Sequence, residues 1–268
     1  MSDQELTRRI ERIERLAQAD QREGAPPAVV HALGLRWHHD GEVVTVAADH
    51  AGRRAWNRVI GLGLGVPASD DALNALDGFY PDPSRACEIH LSPHAWPADL
   101  PDRLAARGFE HAADEIKWQR DASAAAPALT ELRIARARGA LGIGADDVVR
   151  EVFAGIEGSR GWLPALVERD GWQVFVAMDD DTVVATGSVF VREQTAWLGI
   201  GGTLASHRGR GAQGALLAAR IEWARTAGAR VMTLETDDDT EERPNPSYRN
   251  GARAGFTIAY RRAIWARG

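Results

Sequence analysis

The stretch from Leu198 to Leu217 is where residue types and spacing best suit chemistry. It passes from a strand-like pattern through Arg208-Gly209-Arg210-Gly211-Ala212-Gln213-Gly214 into an Ala/Leu-rich helical pattern. The first turn of a helix has N–H groups without intrahelical acceptors and carries the positive end of the dipole, so it attracts anions. Gly209, Gly211 and Gly214 allow close backbone approach to a phosphate, and Arg208 and Arg210 can add charge-assisted hydrogen bonds. A Walker loop would need Gly-Lys-Ser/Thr, but Gly214 is followed by Ala215. A dinucleotide fingerprint would need a parallel βαβ unit near the start of a domain, whereas three strand-like runs precede this loop. Downstream, Asp237 to Glu242 is an acidic run that reads either as a solvated loop or as an attractor for a cationic substrate.

The elements that must hold the loop read clearly. Trp172–Met178, Thr182–Val191 and Thr195–Thr203 read as successive strands, with a turn at Asp179-Asp180-Asp181. Gly211–Ala227 reads as a helix stopped by Gly228, followed by a strand at Val231–Thr236, a helix at Ser247–Ala254 and one or two strands in Phe256–Trp265. Leu132–Ala135 reads as a short strand, and Asp146–Phe153 and Trp162–Glu168 as helices. The order is α+β: an antiparallel meander, then strand–helix–strand.

Here the chain resembles the GNAT superfamily of acyl-CoA N-acyltransferases. Its Gln/Arg-x-x-Gly-x-Gly/Ala motif is matched by Arg208 and Gly211, with Gln213 where Gly or Ala is usual. The resemblance covers about Leu132 to Trp265, including Arg253-Ala254-Gly255-Phe256 near the end. It implies acetyl-CoA as co-substrate, with the pyrophosphate on Arg208 to Gly214, including Ala212 and Gln213. It also implies a splayed, bulged strand whose Gly201, Gly202 and Thr203 face the pantetheine. Glu235, ending the neighbouring strand, becomes the candidate base for an amine that must lose a proton before attack. Many relatives carry an acidic Tyr where this sequence has Gly251; Tyr248, one turn earlier, is the candidate substitute. Asn245 and Ser247 resemble an Asn-x-x-Ser near coenzyme A in some branches.

Length and composition frame this reading. The 268 residues suit two domains, with a natural boundary at the Ala/Ser-rich stretch after Arg120: residues 1–125 and 126–268. Gly108-Phe109 is followed by Trp118 and Arg120, and Gly255-Phe256 by Trp265 and Arg267, at identical spacing. A duplicated domain would leave this register, and chance placement of common residues is the alternative. The expected fold is therefore two GNAT-like domains, each a mixed, mostly antiparallel sheet flanked by helices. The first half has Gly61, Gly63 and Gly65, but Pro67, Asp70 and Asp71 follow where arginines belong. It reads as a degenerate copy without cofactor. Such a copy would close the substrate cleft, so a monomer is expected, as is a fragment 126–268 that binds coenzyme A but handles substrate poorly.

A net charge of −6 argues against a nucleic-acid partner. Single Cys87 excludes an internal disulfide, and the histidines show no metal spacing, so no metal is expected. No apolar run approaches the roughly 20 residues of a membrane span, and Leu6, Ile10, Ile13 and Leu16 fit a helix rather than a leader. The expectation is a cytoplasmic enzyme acetylating a primary amine of a small molecule or peptide. A thiol-directed tandem transferase of the mycothiol synthase type and a non-catalytic acyl-CoA sensor are the alternatives.

Overall fold

The computed structural model describes residues 2–82, 84–153 and 158–268. The first half runs α1 (Asp3–Glu23), α2 (Pro27–Leu33), β1 (Leu35–His39), β2 (Val44–Ala48), β3 (Arg58–Ile60), α3 (Asp70–Phe79), β4 (Cys87–Leu91), α4 (Leu100–Ala105) and β5 (Glu110–Asp121). The second runs β6 (Arg133–Arg136), α5 (Ala140–Val152), α6 (Trp162–Val167), β7 (Trp172–Asp179), β8 (Thr182–Arg192) and β9 (Thr195–Thr203). It continues through α7 (Ala212–Thr226), β10 (Val231–Thr236), α8 (Pro246–Arg253) and β11 (Thr257–Arg267). From β1 to β5 the order matches that from β7 to β11, with one helix between the third and fourth strands and one between the fourth and fifth.

The two halves do not form separate sheets. All eleven strands join one sheet in the order β1-β2-β3-β4-β11-β5-β10-β9-β8-β7-β6. Among the described residues only β3–β4 and β9–β10 pair in parallel. Each half's last strand is inserted beside the other half's fourth: β5 lies between β10 and β11, and β11 between β4 and β5. The α+β class and the mixed, mostly antiparallel sheet therefore hold, with both halves contributing strands to one continuous sheet.

This exchange explains the repeated Gly-Phe…Trp…Arg register. The Arg120 guanidinium lies 5.8 Å from the Phe256 ring centre and donates to the Ala254 carbonyl at 2.8 Å. Reciprocally, Arg267 lies 4.6 Å from the Phe109 ring and donates to the Arg107 carbonyl at 3.2 Å. Trp118 is buried in the second half's core and Trp265 packs on the first half's core. These are the two copies of one isologous contact within a single chain. Arg262 pairs in register with Glu115 where the pseudo-twofold crosses the sheet.

Helix α1 touches β1 and β2 of one half and β8 and β9 of the other, so the sheet curls around it. From Ile10 to Arg22 it is buried on nearly every side. Ile13 and Ala17 join the second half's aromatic core, and Ala19 packs with Val44, Val46 and Ile60 of the first. Burial on all faces traps Glu11 and Glu14, and charges from the sheet answer them. Arg262 reaches Glu11 at 2.9 Å, Glu14 at 2.6 Å and Glu115 at 2.5 Å, and Lys117 reaches Glu14 at 2.8 Å. Burial alone would push Glu14 and Glu115 up, but the Arg262 charge foremost, with Lys117, holds both well below the usual carboxylate range.

A buried ion network that loses one member leaves uncompensated charge. Arg262→Met is expected to cost about 3–5 kcal/mol in urea unfolding at pH 7. The folded-state carboxyls are depressed, so their stabilisation is complete above the unfolded value of about 4.3 and is lost as pH falls below it. Wild-type stability should therefore drop below about pH 4, and the variant should show a shallower acid limb. An urea midpoint within error of wild type would contradict this.

Candidate active site

Strands β9 and β10 pair only at Thr195–Val231, Ala196–Met232 and Trp197–Thr233, and then diverge. A bulge drives the divergence. Thr186 faces Gly202 and Ser188 faces Gly199, so Gly187 opposes both Ile200 and Gly201. Ile200 takes the left-handed conformation (φ 50°), which a β-branched residue adopts only under external constraint. Two side chains of α7 supply that constraint by satisfying carbonyls the bulge unpairs. Gln213 Nε2 donates to the Gly202 carbonyl at 2.9 Å, Thr203 Oγ1 at 3.0 Å and the Thr186 carbonyl at 3.3 Å. Buried Arg220 donates to the Ser188 carbonyl at 3.3 Å, and burial brings its pKa down to about 10. A Cβ on Gly187 would stand 2.7 Å from that guanidinium, so any larger residue would push Arg220 out of place. Gln213, the one misfit in the motif, thus clamps the bulge.

The divergence opens a cleft of about 1340 Å³, lined by Leu198 to Thr203 on one side and Leu234 to Asp237 on the other. The loop before α7 closes one end, with Arg208, Gly209, Gly211, Ala212, Gln213 and Gly214 in the wall. Gly211 has φ 79°, and a Cβ there would come within 2.3 Å of the Leu129 carbonyl, because residues Ala125 to Leu129 of the inter-half segment form the adjoining wall. Asn245 and Ser247 also line the cleft; Asn245 caps α8 by accepting from the Ser247 N–H at 2.9 Å.

Two sequence candidates stand elsewhere. Arg210 is not in the lining; its guanidinium binds Asp179 of the β7–β8 turn through two contacts, at 2.6 and 3.1 Å. Tyr248 is not in the lining either, because its ring stands edge-on to Trp118, 4.7 Å between centres. That tryptophan arrives on β5 of the other half, a contact invisible to local sequence. Gly251 packs against the same indole, 3.8 Å from a virtual Cβ.

At the other end of the cleft is Glu235. Its carboxylate accepts from Trp197 Nε1 at 2.9 Å and from Lys117 Nζ at 3.1 Å. Burial, reinforced by the nearby Glu14 and Glu115 charges, outweighs the Lys117 charge and raises its pKa above the usual carboxylate value. A raised carboxyl on a cleft wall is a better proton acceptor than an ordinary carboxylate. Glu115 lines the same end. Sequence reasoning missed Glu115, Lys117 and Trp197; the available signal was that Lys117 is the sole lysine and lies within a strand-like run.

Residues 149–251 match the model of the acetyltransferase (GNAT) family. This segment is a GNAT domain. The match holds the bulge, the loop, Glu235 and Asn245. The whole chain has the fold of a GCN5-related N-acetyltransferase from Kribbella flavida (TM-score 0.61, 17% identity, covering 92% of this chain and 95% of that one). It also has that of one from Sphaerobacter thermophilus (TM-score 0.60, 20% identity, covering 84% and 80%). A tandem GNAT protein from the clavulanic acid biosynthesis pathway aligns at a TM-score of 0.57 and 17% identity, over 90% of this chain and 84% of its own. No curated protein matches the sequence.

The corresponding place in the first half is arranged differently. After β3 its loop is occupied by its own chain: Trp96 N–H donates to the Gly63 carbonyl at 2.9 Å, and Ala68 N–H to the Trp96 carbonyl at 2.8 Å. By strand register the counterpart of Glu235 is His90 on β4, 3.1 Å from Glu88.

The different surroundings of the two loop arginines give a paired expectation. Arg208→Glu should weaken coenzyme A binding by at least about tenfold in calorimetry, because it reverses a charge on the cleft wall. Arg210→Glu should do less, since it mainly breaks the contact with Asp179. Equal losses in both would show that Arg210 leaves Asp179 for the ligand.

Proposed function

We propose that the chain transfers an acetyl group from acetyl-CoA to a primary amine of a small molecule or peptide. The observation that carries this is a cleft with a helix N-terminus and arginine at one end and a proton-accepting carboxylate at the other. The residues fit an acyl-CoA: Gly209 to Gly214 offer N–H groups and Arg208 a charge for a pyrophosphate, and the bulged backbone at Gly201, Gly202 and Thr203 offers partners for a pantetheine amide. Acetyl-CoA, when bound, supplies an acetyl group activated as a thioester.

Glu235 takes the proton of the arriving ammonium, leaving the neutral nitrogen free to attack the carbonyl carbon. A backbone N–H of the bulge lies on the wall where the carbonyl oxygen gains negative charge. As the carbon–sulfur bond breaks, the nitrogen gives up its second proton to the departing thiolate, directly or through water, because Tyr248 stands outside the cleft, and Glu235 then passes the first proton to solvent. Among its described residues the first half has no Arg/Gly loop between β3 and α3, and its β5 completes the sheet beside β10, which supports a monomer.

Single-turnover mass spectrometry with acetyl-CoA and a panel of amines tests the reading. An acetylated amine, with one coenzyme A site per chain in calorimetry, is expected. Binding without turnover on any amine would favour an acyl-CoA sensor, and two equivalent sites or none would end the proposal.

A further inference from the structure

The first half reaches Glu235 through Lys117. This side chain is fully buried on β5, the strand exchanged into the second half's sheet, where it lies directly opposite Glu235 in register. Its ammonium spans 2.8 Å to Glu14 of α1 and 3.1 Å to Glu235. Long buried side chains are seldom cationic unless paired, so the position selects for charge. The pseudo-twofold supplies an internal control: the counterpart of Lys117 is Ile264, which lies opposite His90. A lysine is therefore present only where the facing residue lines the open cleft.

We propose that Lys117, contributed by the half without a cofactor site, is a positioning residue for Glu235, holding its carboxylate at the cleft as the anion that accepts the amine's proton. The proposal rests on the reading of Glu235 as the base.

The charges around Glu235 show why one lysine decides its state. From β5 come Lys117 and Glu115, from α1 Glu11 and Glu14, and from β11 Arg262 with the Tyr260 hydroxyl on Glu11. From β9 the neutral Trp197 indole donates to Glu235, and from β4 His90 faces Glu115 at 3.5 Å. Two buried carboxylates, Glu11 and Glu14, and two part-buried ones, Glu115 and Glu235, thus share the hydrogen bonds of two permanent cations, and the one facing the cleft is reached by Lys117 alone. Removing Lys117 leaves Glu235 with no cation of its own, so it keeps its proton to higher pH. Removing the Glu14 charge gives Lys117 wholly to Glu235, which then loses its proton at lower pH.

Trp197 provides a readout that does not depend on turnover. Its indole N–H donates to Glu235, so its ¹⁵N–¹H signal, assigned with Trp197→Phe, follows the carboxyl's titration in the full-length protein. In Lys117→Met the midpoint should rise by at least about one pH unit, and in Glu14→Gln it should fall, with the acidic limb of kcat/KM moving in parallel. Coenzyme A affinity should stay within about twofold, separating this from damage to the cleft. Glu14→Gln is nearly isosteric and decides the case if the lysine variant does not fold. An unmoved midpoint in Glu14→Gln would overturn the role of Lys117. An indole midpoint that moves as expected in a protein with no acetyl transfer would instead sink the acetyltransferase reading while leaving the Lys117–Glu235 coupling standing.

Discussion

Glu235→Gln is expected to lower kcat/KM by about 10²–10⁴-fold, the usual range for loss of a general base. The amide keeps the shape of the carboxylate and can still accept from Trp197, so the cleft should survive. Coenzyme A binding, which we propose for the loop at the opposite end, should be unchanged. The pH profile is the sharper readout. A part-buried carboxylate with a raised pKa should give the wild type an acidic limb displaced above the ordinary carboxylate range, since activity is expected to fall as Glu235 becomes protonated. The variant has no such group to titrate, so the limb should flatten. A variant retaining the wild-type limb would remove Glu235 from proton transfer, whatever its rate.

The isolated fragment 126–268 is expected not to fold. From sequence the second half reads as self-sufficient, but its sheet contains β5 from residues 110–121 between β10 and β11. Cutting after residue 125 removes Ile116 and Trp118 from the core cluster built on α7, and Ile13 and Ala17 from the cluster with Trp172 and Trp197. Large core truncations cost about 2–5 kcal/mol each, against a typical total of about 5–15 kcal/mol. The fragment also loses Lys117 and exposes the edge of β10, a template for aggregation. It should lack near-ultraviolet circular dichroism and coenzyme A binding, while co-expression with residues 1–125 should restore both. A soluble fragment with native affinity would show that β11 can close onto β10 directly.

The sequence determined the local elements of the second half. Thr195–Thr203 and Val231–Thr236 are read to the residue, because strongly patterned strands between turn residues leave few alternatives. The first half was less legible. Helix α2 and strand β1 were missed: Pro27–Leu33 is short, and the run Leu35–His39 carries Arg and two His that mask its alternation. The glycine and arginine loop was legible because a helix N-terminus acts through backbone groups a few residues apart in sequence.

What only the tertiary structure decided is how the halves share the work. The repeated Gly-Phe, Trp and Arg spacing pointed to two copies, but the same spacing serves two closed domains or two that exchange their last strands. That choice depends on which strand edge each copy meets, a long-range pairing that local pattern does not encode. The exchange brings Lys117 and Glu115 to Glu235 and turns Tyr248 onto Trp118. Each is a contact between segments distant in sequence, and buried charge takes its meaning from the partner it is buried with.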